Sequence, residues 1–133
     1  MSHVHYTPYS GVERGLGRIP WIATSRGRSI KAHLFYYEGM PWGRKRLLGA
    51  RIFTTRRRRN INPKVLWVIH VPGGGPTIRI RGRRLDGPGA FAATYPAAGP
   101  DYPSYVEVPH AGCWRVTVTS GRLTGSVVFA AVD

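Results

Sequence analysis

The feature that most constrains this chain lies near its end. From Cys113 to Thr119 the residues alternate, with Trp114, Val116 and Val118 on one side and Cys113, Arg115, Thr117 and Thr119 on the other. A period of two is that of a half-buried β-strand, because successive side chains leave the backbone on opposite faces. Ser120-Gly121-Arg122 supplies a turn, since glycine takes the positive φ of a tight hairpin without steric cost. Gly125 to Val132 then returns as a nearly continuous apolar run, the pattern of a strand covered on most of both faces. The chain thus ends in a hairpin that needs a second layer over its tryptophan face.

The same reading gives further short strands. Ile19–Thr24 is interrupted by Pro20 and belongs at an edge. Ile30–Tyr37 alternates, and Arg51–Thr55 and Lys64–Val71 follow, the latter with Trp67 as a core residue. Thr77–Arg81, Phe91–Tyr95 and Tyr105–Val108 complete the set, with a Pro/Gly-rich loop over Ala97–Pro103. No segment has a helical apolar period. Short strands joined by Gly/Pro turns indicate an antiparallel sandwich or barrel. Residues 1–17 read as a flexible arm and 18–133 as one β domain, a length that buries a core without staples.

Charge is the second constraint. The 133 residues carry 20 Lys and Arg against 6 Asp and Glu, a formal net charge of +14. All the basic residues but Arg115 and Arg122 precede position 85, where only Glu13 and Glu38 oppose them. They gather at Arg44, Lys45 and Arg46, at Arg51, at Arg56, Arg57, Arg58 and Arg59, and at Arg79, Arg81, Arg83 and Arg84. Four adjacent arginines repel one another and are expected at a hairpin tip between the third and fourth strands. The last group forms a row on one sheet face, either a solvated face or an anion-binding stripe. A basic half suggests a polyanion-facing side. Arginine that simply follows GC-rich coding is the open alternative, as only Lys31, Lys45 and Lys64 are lysines.

Catalytic and metal patterns are not recognisable. Cys113 is the single cysteine, which rules out an internal disulfide or a cysteine-cluster metal site, and a buried strand thiol is expected. His110 stands three residues before it, across a Pro-x-x-Gly corner that does not oblige the two side chains to meet. Asp86, Asp101 and Glu107 are scattered, without a paired-carboxylate spacing. His3 and His5 near the start are incidental rather than ligands, and His70 is a structural residue of its strand. The glycines 73–75 are followed by Pro76 and a strand instead of the helix that a phosphate loop requires. The expectation is a protein that is not an enzyme and uses no metal or cofactor. No stretch is long and apolar enough to span a bilayer, and the start lacks the charged and apolar regions of a secretory signal, so the sequence as written reads as cytoplasmic.

The ending Val106-Glu107-Val108-Pro109-His110-Ala111-Gly112-Cys113-Trp114 resembles the last strands of immunoglobulin-like sandwiches, in which a Pro-x-x-Gly corner precedes a strand opening with an aromatic residue. Together with Lys64-Val65-Leu66-Trp67, the stretch Gly82 to Gly89 and Tyr102-Pro103-Ser104, it is similar to a group of uncharacterised actinobacterial envelope or secreted proteins. The resemblance implies an all-β, antiparallel immunoglobulin-like sandwich of about 7–9 short strands and a place in the envelope or outside the cell. It implies no catalytic residues. Two departures stand beside it: the leader of secreted members is absent, and the four-arginine tip is unusually basic. The reading that follows is a non-catalytic binding module with a protein, glycan or envelope partner, contacted through Tyr36, Tyr37, Trp42 and Tyr102. The alternative is a nucleic-acid or other polyanion binder using the arginine clusters.

Overall fold

The computed structural model describes residues 2, 5, 21–25, 30–34, 51–55, 64–69, 71–99 and 101–133. In chain order the strands are β1 Trp21–Ala23, β2 Ile30–Leu34, β3 Arg51–Phe53, β4 Lys64–Ile69, β5 Thr77–Arg84, β6 Ala90–Pro96, β7 Asp101–Tyr105, β8 Gly112–Ser120 and β9 Leu123–Val132. They form a four-stranded sheet in the order β1-β2-β4-β7 and a five-stranded sheet in the order β3-β9-β8-β5-β6. The fold is an all-β sandwich, antiparallel throughout except where β3 runs parallel to β9. Among the described residues no helix is long and apolar enough to cross a membrane.

The closing hairpin is the centre of the larger sheet, as its alternation requires. Trp114, Val116 and Val118 of β8 are fully buried, and Val127, Phe129 and Ala131 of β9 lie on the same inner side. β5 adds Ile78 and Ile80, both buried. The smaller sheet answers with Ile22, Ile30, Ala32, Val65, Trp67, Ile69 and Tyr102, and these two inner faces make one core. Burying each of the Val, Ile and Phe side chains contributes about 1.5–3 kcal/mol. Two polar devices sit inside it. The Trp67 indole donates to Ser104 Oγ at 2.8 Å, and that hydroxyl donates to the Val65 carbonyl at 2.9 Å. Near the glycine loop, Ser120 Oγ donates to the Thr77 carbonyl at 2.7 Å and accepts from Gly75 N–H at 2.9 Å.

Gly82 is the inner-facing position of β5 that carries no side chain, and the space is used. It pairs with Phe91 of β6 on one side and Val116 of β8 on the other. A methyl built on Gly82 would overlap the Phe91 ring, which tilts against Trp114 at 5.6 Å between centroids. Glycine here lets an aromatic ring from the neighbouring strand cover the gap.

Three differences from the sequence reading have physical causes. β7 occupies Asp101–Tyr105, beginning inside the Ala97–Pro103 stretch read as a loop, because it is a sheet edge where Pro103 is tolerated without an N–H. Val106 and Val108, read as part of a strand, leave the ladder yet remain buried. β3 and β4 lie in different sheets, so the segment holding Arg56 to Arg59 joins two layers rather than closing a hairpin; those arginines and His70 lie outside the described residues.

The free side of β9 is tiled in sections. β3 covers its last residues, Ser25 exchanges hydrogen bonds with Ser126, and Ser2 does the same with Val128, donating to the Val128 carbonyl at 2.7 Å and accepting from its N–H at 2.8 Å. The opposite edge of this sheet is β6.

Candidate polyanion-binding face

The outer face of the five-stranded sheet follows from the same period that fills the core. β5 alternates buried and exposed, so with Ile78, Ile80 and Gly82 inside, Arg79, Arg81 and Arg83 point to solvent. Its neighbour β8 places Arg115, Thr117 and Thr119 on the same outer side. Cross-strand register then makes rows. Arg79 stands opposite Thr119 and Arg81 opposite Thr117, while Arg83 stands opposite Arg115. β9 extends the rows with Thr124, Ser126 and Val128, and β6 flanks them with Thr94, Ala92 and Ala90. Along β5 the arginines repeat every two residues, about 6.7 Å, and neighbouring strands lie about 4.8 Å apart.

Two properties set this face apart from an ordinary solvated one. Arg83 and Arg115 are like charges directly across a strand pair, an arrangement that is destabilising in a sheet. No carboxylate relieves it: among the described residues the ion pair on the basic strand is Arg84 with Asp86, at 3.0 Å. Arg84 alternates away from the row, is half-buried and is neutralised there. The Asp86 carboxyl is held below its ordinary range, first by a hydrogen bond from the Cys113 backbone and then by Arg84. Among the described residues, Arg79, Arg81, Arg83 and Arg115 therefore stand as four guanidinium groups without an acidic partner on one sheet face.

Between the side chains lie two shallow depressions. One, of about 230 Å³, is lined by Arg79, Arg81, Thr117 and Thr119. The other, of about 310 Å³, is lined by Arg115, Thr117, Thr124 and Ser126 with Ser25 and Gly125. They share Thr117 and so lie side by side on the sheet. The residues that line them carry the hydroxyl and guanidinium groups of Ser25, Arg79, Arg81, Arg115, Thr117, Thr119, Thr124 and Ser126. Arginine forks give paired donors to phosphate, sulfate or carboxylate oxygens, and threonine hydroxyls add single donors. Among the described side chains, those that β5, β6, β8 and β9 place on this face include no aromatic ring on which a base could stack, which favours tracking a charged backbone over reading bases.

The structure brings together Arg79, Arg81 and Arg83 from the sequence-predicted set and leaves Arg84 aside. Arg51 has its backbone in β3, opposite Ala130, and its side chain is not described. Arg44, Lys45, Arg46 and Arg56, Arg57, Arg58 and Arg59 lie outside the described residues. Arg115, Thr117 and Thr119 join the arginine row through the adjacency of β5 and β8, which the sequence does not carry although it shows their outward alternation. Tyr102, read as a candidate contact, is buried and donates its hydroxyl proton to the Gly75 carbonyl at 2.6 Å, so it is a core residue. Tyr36, Tyr37 and Trp42 lie outside the described residues. Cys113 is half-buried, and His110 is exposed, its carbonyl accepting the Trp114 indole N–H at 2.9 Å.

The chain matches no protein-family model, no curated protein and no solved structure.

Proposed function

We propose that this protein is a non-catalytic binding module that holds a linear polyanion on the outer face of its five-stranded sheet. The observation that carries the reading is the cross-strand Arg83 and Arg115 pair set in a group of four arginines without an acidic partner among the described residues. A fold accepts like charges side by side at a cost in stability, and a bound anion would turn that cost into attraction. Arg79, Arg81, Arg83 and Arg115 would grip the anionic groups, while Thr117, Thr119, Thr124 and Ser126 would donate hydrogen bonds between them. Adjoining, hydroxyl-lined depressions suit an extended chain of charges better than a compact ligand.

The reading is tested by titrating fluorescent duplex DNA, single-stranded DNA and inorganic polyphosphate into the native chain and into Arg115→Thr and Arg122→Ser variants. Arg122 is exposed at the tip of the β8–β9 turn, away from the rows, and serves as the equal-charge control. Arg115→Thr is expected to weaken binding several-fold more than Arg122→Ser. Equal loss in the two variants would mean that net charge alone attracts the polyanion and that this face is not its site.

A further inference from the structure

Among the described residues, one edge of the five-stranded sheet has no strand paired to it. β6 forms it, and its seven residues, Ala-Phe-Ala-Ala-Thr-Tyr-Pro, contain no charge. Native edge strands are commonly protected by charged side chains, bulges or covering segments, because an unpaired row of N–H and C=O groups invites another strand. The far edge of the same sheet has such cover from Ser2, Ser25 and β3. Among the described residues β6 has no such cover, and Ala90, Ala92 and Thr94 are exposed.

The ladder parity shows which backbone groups are available. The Ala97 N–H donates to the Pro76 carbonyl and the Arg84 N–H to the Gly89 carbonyl, so the odd-numbered residues of β6 face β5. The N–H and C=O groups of Ala90, Ala92 and Thr94 therefore point away from the sheet. Their small side chains lie on the outer face, beside Arg83, Arg81 and Arg79 respectively. A strand added along β6 would lie two strand spacings, about 9–10 Å, from that arginine row. This is within the combined reach of an arginine and a glutamate, and alanine at two of the three intervening positions leaves the path clear.

We infer that β6 is a docking edge for an extended peptide carrying acidic residues at alternate positions. The peptide adds as a further strand, hydrogen-bonded to Ala90, Ala92 and Thr94, with its carboxylates turned toward Arg79, Arg81 and Arg83. Main-chain bonds of this kind supply affinity, and alternate side chains supply selectivity. Charge decides the occupant: a second copy of this chain would bring another net charge of +14 and its own arginine row to the same edge. The inference uses the same arginines as the polyanion reading, but its hydrogen bonds belong to β6 alone.

The probe is a short synthetic peptide in which glutamate and valine alternate, compared with a block peptide of identical composition. The native chain is expected to bind the alternating peptide about tenfold more tightly than the block peptide. Ala92→Pro removes an outward N–H without touching the bonds to β5 and is expected to erase that preference while leaving polyphosphate binding unchanged. Hydrogen exchange on the native chain gives a reading independent of any variant: the amides of Ala90, Ala92 and Thr94 should gain protection on peptide binding. Equal affinity for the two peptides, or no added protection at these amides, would overturn the inference, as would a dimer of the free chain that Ala92→Pro dissolves. Polyphosphate binding without peptide binding would reject the edge alone; failure of both would reject the polyanion reading as well.

Discussion

Replacing Gly82 by alanine tests whether the inner face of the larger sheet is assembled as described. The new methyl would fall on the ring of Phe91, so the ring must move out of its place against Trp114. A half-buried phenyl group losing much of its burial forfeits about 1–1.5 kcal/mol, and the lost ring pair adds about 0.5–1.5 kcal/mol. Alanine returns about 0.5–1 kcal/mol by restricting the unfolded chain. The net loss is about 1–2 kcal/mol. With an unfolding entropy of about 2.1 cal/mol/K per residue, the 133-residue chain should melt about 4–7 °C lower. The assay is thermal and urea unfolding followed by circular dichroism on Gly82→Ala, Phe91→Ala and the double variant. In the Phe91→Ala background the ring is gone, and Gly82→Ala should become neutral or stabilising. The same penalty in both backgrounds would refute the packing argument, since the cost would then have a source other than Phe91.

Other perturbations follow from single contacts. Ser104→Ala removes the acceptor of the buried Trp67 indole and should cost about 1–3 kcal/mol in urea unfolding, whereas Ser126→Ala, on the outer face, should cost well under that. Arg115→Thr relieves the like-charge pair with Arg83 and should raise the melting temperature by about 1–2 °C at low salt, with the gain fading at high salt. Asp86 has its folded-state pKa lowered, so its contribution to stability is present above the pKa of the unfolded chain and is lost as pH falls through the lower, folded value. Comparing melting temperatures of native chain and Asp86→Asn at successive pH values should therefore show the difference shrinking below about pH 4.

Much of the fold was legible because it rests on local period. The alternation of β8 and β5 assigned Trp114, Val116, Val118, Ile78 and Ile80 to the inside before any partner strand was known, and the structure buries all five. What local pattern does not carry is adjacency. Arg83 and Arg115 are 32 positions apart and meet because β5 and β8 are neighbours in the sheet. Sequence alone could list these arginines as exposed, but it could not place them side by side. The misplacement of β7 has a similar cause: Pro103 argues against a strand in general and is permitted at an edge, and edge position is a property of the sheet. Arg84 reads as a member of the arginine run, yet the period of two sends it to the other side, where Asp86 pairs with it. That β6 stands at an edge among the described strands is likewise invisible until the strand order is known.

The most direct test of the central claim is the salt dependence of duplex DNA binding, measured by fluorescence anisotropy for the native chain and for a variant with Arg79, Arg81, Arg83 and Arg115 all changed to Ser. Four phosphate contacts contribute about −3.6 to the slope of log affinity against log salt. The account predicts that the variant binds more weakly and that its slope is flatter than the native one by about that amount. Equal slopes and affinities for the two proteins would contradict it, because the outer face of the five-stranded sheet would then take no part in holding the polyanion.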